Sequence, residues 1–169
     1  MGAVQQSGNV TPGHLAVWTT GGVIQDGGSF LASQKVLAAF FNANFNTIAD
    51  QPLILPSAIT AFQLTGIIVT NASVSLTTAA GGFYPAASKG GTAIVSSAQV
   101  YSALTSANLL MQPTLSSFAQ SARFSSANLG LSLVANGQNG LTVYLSLTTA
   151  QGSSATADVY LVGIDLSPP

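Results

Sequence analysis

Charged side chains are what this chain most lacks. Of its 169 residues, three are Lys or Arg and four are Asp, with no Glu, so charged residues make up 4% of the chain, against about 25% in an ordinary soluble domain. A soluble monomer normally depends on interspersed surface charges. A surface with few of them suits a protein that neighbours cover, because a charge buried in an interface is costly unless it is paired. The composition therefore favours a protein that assembles over a free-standing enzyme.

Cysteines, long apolar runs and clustered cations are also missing. Without cysteine there is no disulfide and no thiolate metal site. Mean hydropathy is +0.49, yet no apolar run reaches the roughly 18 residues of a membrane span, and the first residues lack the pattern of a secretory signal. Lys35, Lys89 and Arg123 lie far apart, too few to neutralise several phosphates. We therefore expect neither a membrane nor a nucleic acid as partner.

Groups for catalysis or metal binding show no useful spacing. The only histidine, His14, follows a glycine in the N-terminal segment, and no nucleophile elbow or phosphate-binding glycine loop is present. Asp158 and Asp165 are seven residues apart in one predicted strand, which puts them on opposite faces and about 23 Å apart. Asp26 and Asp50 stand in turn contexts. The sequence predicts no catalytic residues, no metal and no cofactor.

Short strands separated by glycine-containing turns account for most of the chain. Pairs such as Gly81-Gly82, Gly90-Gly91, Asn136-Gly137 and Asn139-Gly140 supply the positive φ angles of tight turns. The predicted strands cover residues 36–45, 53–55, 60–70, 72–78, 92–95, 118–124, 129–134, 141–147 and 157–166. Many short strands with few helical patterns are typical of a sandwich or jelly roll.

One helix is predicted within residues 96–107. Ser96 or Ser97 can cap it, and its apolar residues share one face at helical spacing: Val100, Tyr101, Leu104 and Ala107. The fold class expected is therefore all-β: a jelly-roll-like β-sandwich with one short helix and an extended N-terminal hairpin arm.

Residues 1–30 form the predicted arm, and residues 31–169 the sandwich body. Turns are expected at 11–13 and 20–22, and the strand His14–Trp18 is expected between them. A returning strand is predicted at 23–25, and the sequence Asp26-Gly27-Gly28 is expected to end it. An isolated two-stranded hairpin is marginal in water, so we expect the arm to dock on something, with Trp18 as its aromatic anchor. The predicted interface residues of the arm are Val10, Pro12, His14, Leu15, Val17, Trp18, Val23 and Ile24.

Aromatic residues of the body indicate further contacts with neighbours. Phe40 and Phe41 are adjacent in a predicted strand, so alternation cannot bury both in one core, and Phe41 is the candidate to face another subunit. Phe83 and Tyr84 follow two glycines and are predicted to lie on a loop. These three residues, Phe41, Phe83 and Tyr84, are the candidate interface of the body.

A near-repeat links two segments 71 residues apart. Residues 75–81 (SLTTAAG) and 146–152 (SLTTAQG) agree at six of seven positions. Two interpretations stay open: coincidence in a chain rich in Ser, Thr, Ala and Leu, or two structurally equivalent strand ends on one side of a sandwich.

Several segments resemble virion proteins of tailed bacteriophages. Residues 10–18 (VTPGHLAVW) and 22–28 (GVIQDGG) are similar to a segment near the start of many phage and prophage virion proteins, fibre-like proteins included. Residues 68–73 (IVTNAS), 81–84 (GGFY), 147–152 (LTTAQG) and 157–163 (ADVYLVG) resemble capsid decoration, or cement, proteins. The resemblance covers most of the chain.

What this resemblance implies is a structural role without chemistry. It implies a jelly-roll-like sandwich, usually oligomeric and here expected to be a homotrimer. This sandwich would sit on the capsid exterior and bridge subunits of the major capsid protein, with no catalytic residues. The alternative is the particle-proximal domain of a head or tail fibre, or a receptor-binding tip. Copy number per particle separates the two.

Overall fold

The computed structural model describes residues 5–6, 14–18, 23–29, 34–133 and 137–168. The chain divides into two compact units, Met1–Ser33 and Gln34–Pro169. Each is a β structure with its own sheet or sheets.

The N-terminal unit contains the predicted hairpin. Its strands are β1 (Gln5–Gln6), β2 (His14–Trp18) and β3 (Val23–Ser29). β2 runs antiparallel to β3, with Trp18 opposite Ile24, and β1 pairs with β3 in parallel. The hairpin is thus confirmed, whereas the predicted stop at Asp26 is wrong. The register shifts between His14 and Ala16, and such a bulge lets β3 continue through its two glycines. The predicted turns at 11–13 and 20–22 lie outside the described residues.

The body is an all-β sandwich of two antiparallel sheets packed against each other. Its strands are β4 (Lys35–Asn44), β5 (Gln51–Ile54), β6 (Ala61–Thr70), β7 (Ala80–Tyr84), β8 (Leu110–Met111), β9 (Arg123–Ser125), β10 (Gly130–Leu133), β11 (Asn139–Thr149) and β12 (Thr156–Asp165). The long strands β4, β6, β11 and β12 follow the predicted boundaries closely.

The larger sheet has the order β4-β12-β6, and two short strands complete it. β8 and β9 pair with opposite ends of β6, on the edge that β12 leaves free. The smaller sheet is built on β11, which pairs with β5 along one edge and with β10 and β7 along the other. Every strand pair within these two sheets is antiparallel.

Inward-facing side chains of both sheets form one core. Burial alternates along the strands, as the apolar pattern of the sequence predicts. The largest fully buried side chains are Tyr101, Phe45, Phe62, Phe83 and Phe124. Two aromatic pairs lie in this core: Phe45 with Tyr101, whose ring centroids are 5.0 Å apart, and Phe62 with Phe124, at 5.3 Å.

The predicted helix at 96–107 is wrong, and the described residues hold their helix elsewhere. Helix α1 spans Ser117–Ser121, within a predicted strand, and the Ser116 hydroxyl caps it by accepting from the Ala119 N–H at 3.2 Å. In 96–107 the backbone bonds to other segments instead. The Tyr101 N–H donates to the Ala79 carbonyl, and the Leu104 carbonyl accepts from the Leu76 N–H. A helix would need those same groups for itself.

Two predicted strands are irregular, and the strands β7 and β8 were not predicted. Residues 72–78 and 92–95 are bends and single bridges rather than strands. Strand β7 takes the place of the predicted Gly81-Gly82 turn. Glycine is needed there because the strand passes close to other backbone: a Cβ on Gly82 would lie 2.2 Å from the Val95 carbonyl oxygen.

Candidate functional site

One face of the larger sheet is apolar and turned away from the core. Along β12, the inward residues are buried while Tyr160, Val162 and Ile164 are only partly covered. By register, Ala39 and Ile68 flank Tyr160 on this face, Val36 and Gly66 flank Val162, and Gln63 lies opposite Ile164. We call this surface the outer face; its apolar residues are Val36, Phe41, Ile68, Leu110, Tyr160, Val162 and Ile164.

Three of these side chains lie largely in solvent. Phe41 is 62% exposed, Leu110 60% and Val36 55%. Single exposed apolar residues are ordinary, but several of them on one sheet face are typical of an interaction site. The outer face is therefore the main candidate functional site of the body.

A bulge in β4 sets the position of Phe41. The pairing of β4 with β12 shifts register between Ala157 and Val159, so that Phe41 and Asn42 together oppose Asp158. Asn42 takes a positive φ of 56°, which asparagine tolerates better than most residues. Its N–H donates to an Asp158 carboxylate oxygen at 2.9 Å. The bulge is thus held by a side chain of the neighbouring strand.

A second asparagine completes the environment of this carboxylate. Asn71, at the end of β6 and also with positive φ, donates from Nδ2 to the other Asp158 oxygen at 3.0 Å. Asp158 is 8% exposed, so both oxygens are satisfied inside the protein. The Asp158 carboxylate therefore holds the bulge of β4 and the end of β6 together.

The Phe41 ring packs against the Tyr160 ring of the adjacent strand β12. The two ring centroids are 6.0 Å apart and the planes meet at 86°, an edge-to-face contact. This contact holds an exposed phenylalanine in place, so the outer face carries an ordered aromatic projection beside β12.

The one ion pair of the described residues lies at the far end of the same sheet. The Lys35 ammonium is 2.8 Å from an Asp165 carboxylate oxygen. Burial raises the pKa of Asp165, but the bond from Lys35 and those from Ser167 outweigh it, and the net pKa is lowered. These charges neutralise each other at the margin of the outer face.

Asp50 belongs to the smaller sheet. Its carboxylate accepts from the Ser146 hydroxyl and from the Ser88 N–H. The bond from Ser146 is the main cause of its lowered pKa; the Ser88 bond and Lys89 act in the same direction, against a smaller opposing effect of burial. Asp50, in the loop before β5, therefore ties the turn at Ser88 to β11, which its turn context in the sequence does not indicate. Its partners lie 38 and 96 residues away in sequence.

A shallow groove opens on the outer face around Gly66 of β6. It has a volume of about 260 Å³ and is lined by Gln34, Thr65, Gly66, Ile68, Gln112 and Val162. Gly66 lies at the floor of the groove. A Cβ built on this residue would point into open space, since it would meet nothing within 4 Å. The groove exists because β6 has no side chain at this position.

Two further cavities lie elsewhere on the body. The larger, about 510 Å³, is lined mostly by Ser, Thr and Gln with Tyr84 and Leu115, and several of its polar groups are already engaged. The Ser116 hydroxyl donates to the Ala93 carbonyl, and the Gln99 side-chain oxygen accepts from the Thr114 N–H. The smaller cavity, about 210 Å³, lies near Ile59 and Leu131. Neither holds an acid, a histidine or a cation in its lining.

The described part of the chain offers no candidate metal site and no candidate membrane-spanning helix. Within the described residues, no three His, Cys, Asp or Glu side chains lie together as a metal site would require. No helix of that part of the chain is long and apolar enough to cross a membrane.

The structure places the predicted interface residues in different environments, and some of them lie outside the described residues. Phe41 is exposed, as expected, and Phe40 packs partly against the core. Phe83 and Tyr84 are 0% and 4% exposed, since they belong to β7 and not to a loop; placing them on an exposed loop was wrong. In the arm, Val10 and Pro12 lie outside the described residues, and the other predicted residues are in β2 and β3: His14, Leu15, Val17, Trp18, Val23 and Ile24.

Sequence reasoning missed most of the outer face. Tyr160, Val162 and Ile164 alternate with buried residues along β12, so their shared face was readable. The apolar character of that face was the overlooked signal, because outward positions of a sandwich are ordinarily polar. The role of Gly66 and the bulge at Asn42 depend on tertiary neighbours and had no local signal.

Comparison with known proteins adds no relative. No family model matches the chain, and no curated protein and no solved structure matches it.

Proposed function

We propose that this chain is a structural, non-catalytic virion protein that binds the outside of a phage capsid and stabilises it by bridging subunits of the major capsid protein. The observation that carries the proposal is the outer face, a sheet surface with several exposed apolar side chains, at whose margin Lys35 is paired with Asp165. The segments that resemble decoration proteins supply the virion setting.

Burial of the outer face would supply the attachment energy. A fully buried Val, Leu or Phe side chain gains about 1.5–3 kcal/mol, and part of that is offset by the cost of immobilising the partners. One such contact is weak. Several copies linked in an oligomer, here proposed to be a homotrimer, bind together far more tightly than one copy because each contact raises the effective concentration of the next.

The N-terminal unit is the proposed second point of attachment. Its described strands make a three-stranded sheet of 14 residues, which is small for independent stability in water. Docking on a capsid subunit, with Trp18 as anchor, would give this unit a stable partner.

Particle binding at different salt concentrations tests the proposal. Between about 0.1 M and about 1 M salt the Debye length falls from about 10 Å to about 3 Å. We expect co-sedimentation of the purified chain with particles that lack it to change little over this range, whereas a chain without residues 1–33 should bind less. Binding that is lost at high salt would contradict the proposal, since it would show an attachment based on charge.

Copy number separates the proposal from its alternative. Many copies spread over the head fit a decoration protein, whereas few copies at one location fit a fibre domain or a receptor-binding tip. Quantitative mass spectrometry of purified particles measures this directly.

A further inference from the structure

A cavity beside strand β7 of the smaller sheet has a lining rich in hydroxyl groups. Its volume of about 510 Å³ is within the usual range of small-molecule sites, about 300–1,000 Å³. Residues of the segments 92–99 and 114–116 form its walls, together with one strand residue, Tyr84 of β7. We call it the hydroxyl cavity, because six of its nine lining residues carry a hydroxyl group: Tyr84, Thr92, Ser96, Ser97, Thr114 and Ser116.

The Tyr84 hydroxyl is a polar group that the fold leaves unpaired. Tyr84 is only 4% exposed, yet its hydroxyl has no hydrogen bond among the described residues, which is rare for a side chain this buried. No enclosed side-chain nitrogen or oxygen atom of those residues lacks a partner. Solvent therefore reaches the Tyr84 oxygen, and the cavity that Tyr84 lines gives it access. A ligand in the cavity meets a free phenolic hydroxyl.

Hydrogen bonds within the chain hold the walls of the hydroxyl cavity in place. The Thr114 N–H donates to the Gln99 side-chain oxygen at 3.1 Å, which joins the two segments of the wall. The Ser116 hydroxyl donates to the Ala93 carbonyl at 2.7 Å and joins them a second time. Because these bonds exist without a ligand, the cavity is formed in advance, which lowers the entropic cost of binding.

The free groups of the lining select a neutral ligand rich in hydroxyls. Besides Tyr84, the side chains of Thr92, Ser97 and Thr114 have hydroxyls without a partner among the described residues. An apolar ligand would leave these groups unpaired at a cost in free energy. An ion would find no counter-charge, since none of the described lining residues is an acid, a histidine or a cation. Sugar hydroxyls donate and accept hydrogen bonds as these side chains do.

We propose that the hydroxyl cavity binds a neutral saccharide, with the Tyr84 hydroxyl among the groups that hold it. This inference goes beyond the proposed function. No residue of the outer face lines the cavity, so attachment to a capsid through the outer face uses different residues. Many copies on one particle would bind a surface that bears such glycans far more tightly than one copy, because the contacts reinforce one another.

Titration of the purified full-length chain with defined sugars, followed by NMR chemical shifts, tests the inference. The neutral probes are maltose, cellobiose, lactose and chitobiose, and the anionic probe is sialyllactose. We expect at least one neutral probe to bind with a Kd of about 1 mM, because each neutral hydrogen bond replaces one to water and gains little. Sialyllactose should bind more weakly than that probe.

Two results of this titration would overturn the inference. A cavity that holds water alone would give no binding of any neutral probe at about 10 mM, ten times the expected Kd. Tighter binding of sialyllactose than of every neutral probe would show a site that recognises charge.

Tyr84→Phe is the sharpest variant, because it removes a single oxygen atom that has no partner among the described residues. The melting temperature should stay unchanged, while the Kd of the neutral probe should rise about fivefold through the lost hydrogen bond. Tyr144→Phe is the matched control. Tyr144 lies opposite Tyr84 in the register of β7 and β11 but is not among the residues that line the cavity, so its variant should keep the wild-type Kd.

Thr114→Val removes a second free hydroxyl from an exposed side chain of similar shape, and it should also raise the Kd. Binding unchanged in both Tyr84→Phe and Thr114→Val, or weakened equally in Tyr144→Phe, would place the saccharide elsewhere and overturn the inference. Particle attachment is a separate readout, because Tyr84→Phe should co-sediment with particles as the wild type does. A chain that binds the sugar but never binds particles would keep the inference and remove the proposed function.

Discussion

Three of the aspartates are tied to polar groups of distant segments. Asp158 accepts from Asn42 and Asn71, Asp50 accepts from Ser88 and Ser146, and Asp165 pairs with Lys35. None of these contacts follows from local sequence, since the partners lie between 38 and 130 residues away. At the scale of single residues, the few charges of this chain hold strands and loops together.

Removing the Asp158 carboxylate should be costly. In Asp158→Ala the Asn42 N–H and the Asn71 amide lose their acceptor in a site that is 8% exposed, and an unsatisfied buried group costs about 1–3 kcal/mol. Denaturant unfolding should show a loss in this range or above.

Lys35→Ala is the comparison for that variant. It breaks an ion pair whose lysine is 50% exposed, and exposed pairs contribute at most about 1 kcal/mol. Equal losses in the two variants would mean that Asp158 does not organise the bulge.

Asp50 should make stability depend on acid pH. Its hydrogen bond from Ser146 lowers the pKa of the folded state below the ordinary value of 3.8. A lowered folded pKa contributes stability that is fully present above the unfolded value of about 3.9 and is lost as the pH falls through the folded pKa.

The measurement is the free energy of unfolding from neutral pH to about pH 2, well below the ordinary aspartate pKa of about 3.9. The loss below about pH 4 should be smaller in Asp50→Asn and in Ser146→Ala than in the wild type, because both variants lack the bond that lowers the pKa. Identical acid profiles in all three chains would refute this role of Asp50.

At the scale of elements, long alternating strands were predictable and close backbone approaches were not. β12 and β6 have apolar residues at every second position, which is why their boundaries were correct. The two glycines of β7 give the usual turn signal, so the sequence predicts a turn in place of this strand. Here glycine is required by neighbours, since the strand lies against β11 and residue 95, which only the folded chain brings together.

Gly82→Ala should disrupt this crossing. The new Cβ would lie 2.2 Å and 2.8 Å from the carbonyl oxygens of Val95 and Ser96, so backbone must move, at a cost of about 3 kcal/mol or more. Gly66→Ala, also in a strand but with open space, should leave stability unchanged or raise it by about 0.5–1 kcal/mol. Thermal unfolding compares the two, and a Gly82→Ala chain as stable as the wild type would exclude the close contact.

Of the two interpretations of the near-repeat, that of structurally equivalent strand ends is wrong. Residues 146–149 lie in β11, whereas residues 75–79 form an irregular segment, so the copies are not equivalent strand ends. They nonetheless touch. The two copies differ at one position, where the first has Ala80 and the second has Gln151. The Gln151 side-chain oxygen accepts hydrogen bonds from the Thr78 and Ala79 N–H groups of the first copy.

At the scale of the whole molecule, the sequence predicted the class and the structure located the surface. Low charge and alternating strands were enough to predict an all-β body. The outer face depends on the order β4-β12-β6 and on the bulge at Asn42. Strand order is set by contacts between distant segments, which composition and periodicity do not encode.

The central claim is that the outer face is covered when the protein is at work. A cryo-EM map of the intact particle that carries this chain tests it most directly. We predict many copies on the capsid exterior, with Phe41 and the rest of the outer face buried against capsid subunits. A map in which the outer face of each copy is open to solvent, or in which the chain is confined to the tail, would contradict the account.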